Sequence, residues 1–233
     1  MYHSVTDHPS DKFTISEALF TEHLDYLKSS GFNTVTLHEL LEHEEHKAPL
    51  PPNPIVLTFD DGFQDNYSRV LPLLKARGQK ATFFIVTRFC AREEAHRRVE
   101  NPGTPHEKRF MLWHEVRAMQ AAGMEIGSHS LFHKRMTTLS DAEIREDLRL
   151  SRAELEKELS TPIEFFAYPF NSERRDVRRL VEHAGYRAAV SGAHSLGDKY
   201  ELARIGIYRG MTAAVLRSQL EEGWASSYTS DGR

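Results

Sequence analysis

The sequence predicts an α/β protein in which short buried strands alternate with amphipathic helices inside a single domain. Three observations carry that expectation. Strand-sized apolar runs rich in β-branched and aromatic residues recur along the chain, at Ile55–Phe59, Ala81–Val86 and Glu164–Tyr168. Between them lie stretches with apolar residues at helical spacing, and Gly31, Gly78, Gly123 and Gly185 stand where those stretches stop. The chain has 233 residues, enough for one large core, and shows no short internal repeat beyond the strand–helix alternation.

Taken in order, Ser16 and Glu17 open a helix carrying Phe20, Leu24 and Leu27, and Gly31 ends it. A strand is expected over Thr34–Leu37 and a short helical piece around Glu39–Glu42. A charged run and Pro51-Pro52-Asn53-Pro54 then act as a stiff connector within the domain. The run Ile55–Gly62 reads as one buried strand entering a turn, and Tyr67, Val70, Leu71 and Leu74 mark the helix after it. Thr87–Arg109 breaks the rhythm; a long charged loop at a strand end is expected to be a substrate wall or a lid. Trp113 opens the next helix, and Ser140-Asp141-Ala142-Glu143 is a capping box for a helix to about Leu159 that buries Ile144, Leu148, Leu155 and Leu159. Helix Arg174–Ala184, strand Arg187–Val190, a last strand over Leu202–Ile207 and a closing helix over Thr212–Glu222 complete the series. Residues 1–223 are expected to form the catalytic domain and 224–233 a flexible tail.

Composition excludes several classes. With 30 basic and 34 acidic residues the net charge is −4, so no nucleic acid partner is expected. No apolar run reaches transmembrane length and no signal peptide is visible. The lone cysteine, Cys90, excludes an internal disulfide and reads as loop packing rather than a nucleophile. A cytoplasmic location is expected of the chain as it stands, and an exported or envelope-associated one if a longer N-terminus precedes it. Oligomeric state is left open.

Chemistry concentrates at strand ends. Asp60-Asp61-Gly62 follows the run Ile55–Phe59; two carboxylates are too costly to desolvate inside a strand and belong at its C-terminal end. The stretch Glu125–His133 reads as a short strand leading into polar residues with His129 and His133, whose four-residue separation would place both imidazoles on one face of a helical turn. Two histidines and one carboxylate suit a hydrolytic metal site with open positions.

The motifs TFDDG, HSLFH and Phe166-Ala167-Tyr168-Pro169-Phe170, in that order and each at a strand end, resemble those of the polysaccharide deacetylases, the family 4 carbohydrate esterases. The resemblance covers roughly Tyr2 to Gly223. It implies a distorted (β/α) barrel of about seven strands, with Met1–Val5 resembling the end of a first strand that is incomplete here. It implies Asp60 as catalytic base and Asp61, His129 and His133 as ligands of a divalent ion, Zn²⁺ first, with Co²⁺, Ni²⁺, Fe²⁺ or Mn²⁺ as alternatives. The substrate would be an acetylated glycan or glycoconjugate, losing N-acetyl groups from N-acetylhexosamine units. His3, Tyr168, Pro169, Phe170 and Arg204 are expected to contact substrate, and an amide near Phe170 to hold the oxyanion. Two departures stand out: Ala167 occupies the position of the family's arginine that orients the base, and no Leu-x-His motif is recognisable. His194 is the candidate acid in its place. Two other readings stay open, a cyclic amide hydrolase of the same fold and a glycan-binding barrel with impaired catalysis.

Overall fold

Five short parallel strands make the central sheet: β1 (Thr58–Phe59), β2 (Thr82–Ile85), β3 (Glu125–Ser128), β4 (Phe165–Ala167) and β5 (Ala188–Val190), hydrogen-bonded in the order β5-β4-β3-β2-β1. They are described from a computed structural model covering residues 1–8, 11–104, 107–192 and 197–228. The sheet curls, and the two ends of the chain finish it. Tyr2 bridges in parallel to Phe59 on the β1 edge, and Leu202 bridges in parallel to Val190 on the β5 edge. Met1 then joins those two additions, its amino group donating to the carbonyl of Ile205 at 2.7 Å and its own carbonyl accepting from the Ile207 amide at 2.9 Å. Seven segments therefore close a distorted (β/α) barrel, five of them regular strands.

Side-chain alternation divides the strands between two cores. Phe83, Ile85, Ile126, Phe166 and Ala189 pack outward against helices, with Leu24 of α1 (Glu17–Ser29), Val116 of α4 (Trp113–Ala121), Leu148 of α5 (Asp141–Leu159) and Val181 of α6 (Arg175–His183). Phe84, Phe165, Ala167, Ala188 and Val190 form a second cluster with Leu37 and Leu41 of α2 (Leu37–His46). Gly127 makes room in that cluster: a Cβ there would stand 2.5 Å from the ring of Phe84.

Most helices start where their caps predict. Ser16 accepts from the Leu19 amide at 3.2 Å, and Ser140 with Glu143 forms the reciprocal box at the head of α5. The differences have local causes. The expected strand Thr34–Leu37 ends at Val35, because Thr36 caps α2 in a box with Glu39 and commits Leu37 to the helix. The run from Ile55 is not one strand: Pro54–Val56 pairs with Asn33–Val35 outside the barrel, and only Thr58–Phe59 enters the sheet. The helix after the acidic turn begins as a π-helical turn over Asn66–Val70 before α3 (Leu71–Arg77); Pro72 supplies no amide proton, which suits a register change there. Leu202–Ile207 is extended but makes ladder contact only at Leu202, and α7 runs Ala213–Tyr228, past the expected end. None of the described helices is long and apolar enough to cross a membrane.

Candidate metal centre and its base

The acidic turn solves a geometric problem, since adjacent carboxylates must serve different directions. Asp60 keeps the strand's inward orientation and is buried, while Asp61 (φ 75°) and Gly62 (φ 81°) both adopt left-handed backbone and turn the second carboxylate away. The left-handed step at Asp61 does the separating.

The histidine segment also differs from the helical turn its spacing suggested. His129 directly follows β3, and the chain then loops through Ser130 (φ 69°) to His133 (φ 58°). The Ser130 hydroxyl accepts from the His133 amide at 2.9 Å, and the carboxylate of Asp147, on α5, accepts from the Leu131 amide at 2.9 Å. The carbonyls of Ser130 and Leu131 accept from the Thr87 and Arg88 amides. Left-handed backbone at non-glycine residues is costly and persists only where its surroundings enforce it. These bonds are that enforcement.

The loop brings His129 Nε2 to 3.5 Å and His133 Nε2 to 3.2 Å from Asp61 Oδ1. One donor atom from each of the three residues lies within 4.8 Å of the others, a spacing a single cation can bridge. The donor chemistry fits as well. His129 donates Nδ1–H to the Ala167 carbonyl at 2.8 Å, which orients the ring and leaves Nε2 as the nitrogen that faces Asp61 and would serve an ion. Burial works to raise the Asp61 carboxyl, but its hydrogen bonds from His129 and His133 hold it well below the usual range.

Asp60 is served by a residue from the far end of the chain. Arg204 donates from both terminal guanidinium nitrogens, Nη1 to Oδ1 and Nη2 to Oδ2, each at 2.8 Å, and also reaches Thr58 Oγ1 and the Ser191 carbonyl. Burial would push the Asp60 carboxyl up; the Arg204 charge, helped by His129, overrides it and holds the group at about 2. Arg204 was expected to touch substrate. With its side chain 6% exposed and both arms on Asp60, it is a buried partner of that aspartate. The guanidinium missing at Ala167 thus arrives from another segment.

His3 lies on the same side. Burial pushes its imidazole down while Asp61 and Asp60 pull it up, and its Nδ1 is buried without a hydrogen-bond partner. Tyr168 and Pro169 are buried, the tyrosine hydroxyl donating to the Tyr200 carbonyl at 2.8 Å, so neither presents a surface to substrate. Phe170 does: it is 50% exposed, its ring 4.5 Å from that of His133 and 4.5 Å from the Arg135 guanidinium. His194 lies outside the described residues. The long loop after β2 carries a hairpin, Val99–Glu100 with Lys108–Arg109, anchored where Lys108 Nζ meets Asp11 Oδ2 at 2.6 Å. Burial pushes the Cys90 thiol up, consistent with packing rather than nucleophilic use.

Two pairings escaped the sequence reading, Arg204 with Asp60 and Asp147 with the Leu131 amide. Arg204 had a signal, since an arginine inside the apolar run Leu202–Ile207 needs a buried partner. Asp147 had none, being one of many charges along α5.

A family profile described as polysaccharide deacetylase matches residues 47–189. The Bacillus subtilis protein YxkH, whose name places it among polysaccharide deacetylases, is 24% identical over 226 residues, covering 95% of this chain and 75% of its own. The poly-β-1,6-N-acetyl-D-glucosamine N-deacetylase of Escherichia coli K12 is 24% identical over 217 residues, 79% of this chain; the match spans only 32% of that enzyme. Among solved structures, the Streptococcus pyogenes deacetylase PplD in complex with acetate superposes with a TM-score of 0.80 at 20% identity, covering 94% of this chain and 95% of that one, which shows the shared fold.

Proposed function

We propose that this chain, which belongs to the polysaccharide deacetylase family, hydrolyses the N-acetyl groups of N-acetylhexosamine units in a polysaccharide or glycoconjugate, using a divalent ion, Zn²⁺ first. The observation that carries the reading is the pairing of two sites at one rim: a three-donor group on Asp61, His129 and His133 beside a carboxylate, Asp60, that Arg204 keeps ionised. A relative's name specifies poly-β-1,6-N-acetyl-D-glucosamine, and that polymer is the first substrate to try.

Amide hydrolysis needs an activated water, a stabiliser for the oxyanion and an acid for the leaving amine. Asp61, His129 and His133 would hold the ion, which when bound supplies Lewis acidity towards a water and an acetyl oxygen. Asp60 accepts the proton of the attacking water. Arg204 fixes both carboxylate oxygens, so the base meets the water in one orientation, and keeps it deprotonated in a buried site. The amide of Phe170, on the left-handed turn after β4, donates to the developing oxyanion. For the amine, His3 is taken before His194: it directly follows Tyr2, whose carbonyl accepts from the Asp60 amide at 3.0 Å, and its buried Nδ1 has no hydrogen-bond partner.

The test is acetate release by the purified, Zn²⁺-loaded protein from β-1,6-linked N-acetylglucosamine polymer, chitooligosaccharides, peptidoglycan and acetylxylan. Release from an N-acetylated glycan with equal formation of free amine is expected. Stoichiometric metal with no acetate from any of them would sink the reading. His3→Ala should slow amides far more than activated esters, whose leaving groups need little protonation; that selectivity in His194→Ala instead would return the acid to His194.

A further inference from the structure

Among the described residues, the exposed aromatic side chains all stand on loops that follow barrel segments: Phe132 (51%) after β3, Phe170 (50%) after β4 and Tyr208 (41%) after Leu202–Ile207. Aromatic faces left in water at a catalytic rim are contact surfaces. Phe132 lies in the histidine loop itself, and Phe170 packs on His133. Tyr208 does neither, and its setting is built. Its ring packs against Phe13 with centroids 5.6 Å apart, and Lys12 Nζ stands over both rings, 4.9 Å from the centre of Phe13 and 5.6 Å from that of Tyr208. The Arg209 amide donates to the Lys12 carbonyl at 2.8 Å, and the Asp11–Lys108 pair ties the same segment to the hairpin. Gly206 leaves space for the tyrosine to fold back over the chain; a Cβ there would stand 2.7 Å from its hydroxyl oxygen.

His3 connects this cluster to the chemistry. Its ring lies 4.8 Å from that of Phe13, and it directly follows Tyr2, whose carbonyl accepts from the Asp60 amide at 3.0 Å. A chain ligand leaving the metal centre across His3 therefore meets Phe13 and Tyr208 next. We propose that Phe13 and Tyr208, with the Lys12 ammonium across them, form a subsite for the sugar adjoining the one that is deacetylated. This rests on the deacetylase reading above. A pyranose offers an apolar C–H face to an aromatic ring and hydroxyl and acetamide oxygens to an ammonium donor, the combination presented here.

The test uses β-1,6-linked N-acetylglucosamine oligomers of two to five sugars, with Zn²⁺-loaded wild type, Tyr208→Ala, Lys12→Ala and Gly206→Ala. Gly206→Ala keeps the tyrosine but displaces it. Turnover is read as kcat and KM separately, and tetramer affinity by calorimetry, after thermal melts confirm folding. The wild type should gain in kcat/KM as the oligomer lengthens. Tyr208→Ala should lose about tenfold of that gain through KM and weaken tetramer binding alike, with smaller losses in Lys12→Ala and Gly206→Ala. An unchanged gain and unchanged tetramer affinity in Tyr208→Ala would overturn the subsite. If the wild type turns over none of the oligomers, β-1,6-linked N-acetylglucosamine is not its substrate, the deacetylase reading is left to the other glycans, and tetramer affinity alone decides the subsite.

Discussion

On one side of the rim, Asp61, His129 and His133 are set by a left-handed turn after β1 and a five-residue loop after β3, the loop held by hydrogen bonds within it and to the neighbouring Thr87, Arg88 and Asp147. On the other side, Asp60 depends on Arg204, 144 positions away, and His3 reaches it only because Met1 and Tyr2 seal the barrel against Phe59 and Ile205–Ile207. The ligand side needs its own loop to hold. The base side needs the whole ring to be closed. Metal binding and proton transfer should therefore fail separately, under different perturbations.

The largest effects test whether the two sides are separable at all. His129→Ala removes one of the three proposed ligands and should abolish activity together with bound metal. Asp60→Asn should lower kcat by about 10²- to 10⁴-fold with metal content intact, because an amide cannot accept the water's proton. Metal analysis beside single-turnover rates checks both; loss of metal in Asp60→Asn would join the two sides into one.

Arg204→Met comes next. Removing one partner of a buried ion pair leaves Asp60 uncompensated, at a cost of about 3–5 kcal/mol in stability. Activity should fall with it, and the pH below which activity is lost should rise, since the Asp60 value of about 2 is held against burial by this guanidinium. Arg204→Lys keeps the charge but not the two-armed contact, and should recover stability more than kcat. Unfolding curves and pH–rate profiles decide; an unshifted acid limb in Arg204→Met would show that Asp60 does not need its partner.

The smallest effect lies on the ligand side. Asp147 holds the Leu131 amide and so shapes the loop between the two histidines. Asp147→Ala should weaken Zn²⁺ affinity by about 10- to 100-fold, as loss of a supporting hydrogen bond does elsewhere, and Asp147→Asn, which keeps one acceptor, by less. Burial raises the Asp147 carboxyl to about 6, against the amides of Leu131 and Phe132. The folded state thus keeps this proton to higher pH than the unfolded chain does. The group favours folding in acid, and that contribution declines as pH rises from about 4 to about 6. Asp147→Asn removes the decline, so its stability relative to wild type should improve by up to about 2 kcal/mol between pH 4 and pH 7. Urea titrations across that range measure it, and a flat difference would mean the carboxyl titrates normally.

What the sequence determined by itself was whatever short-range pattern controls. Strand-sized apolar runs ending in Asp60-Asp61-Gly62 and in His129 to His133, helix caps at Ser16 and Ser140, and the family motifs all lie within a few residues of one another, where propensity and hydrogen bonding act directly. Even there, spacing suggested a helical turn for the histidines, and only the packed loop showed left-handed backbone at Ser130 and His133. Tertiary structure alone decided what Arg204 and His3 face. Closing the barrel sets the first and last segments side by side, and a guanidinium that no local pattern assigns becomes the partner of a buried carboxylate, since neither charge could be buried without the other.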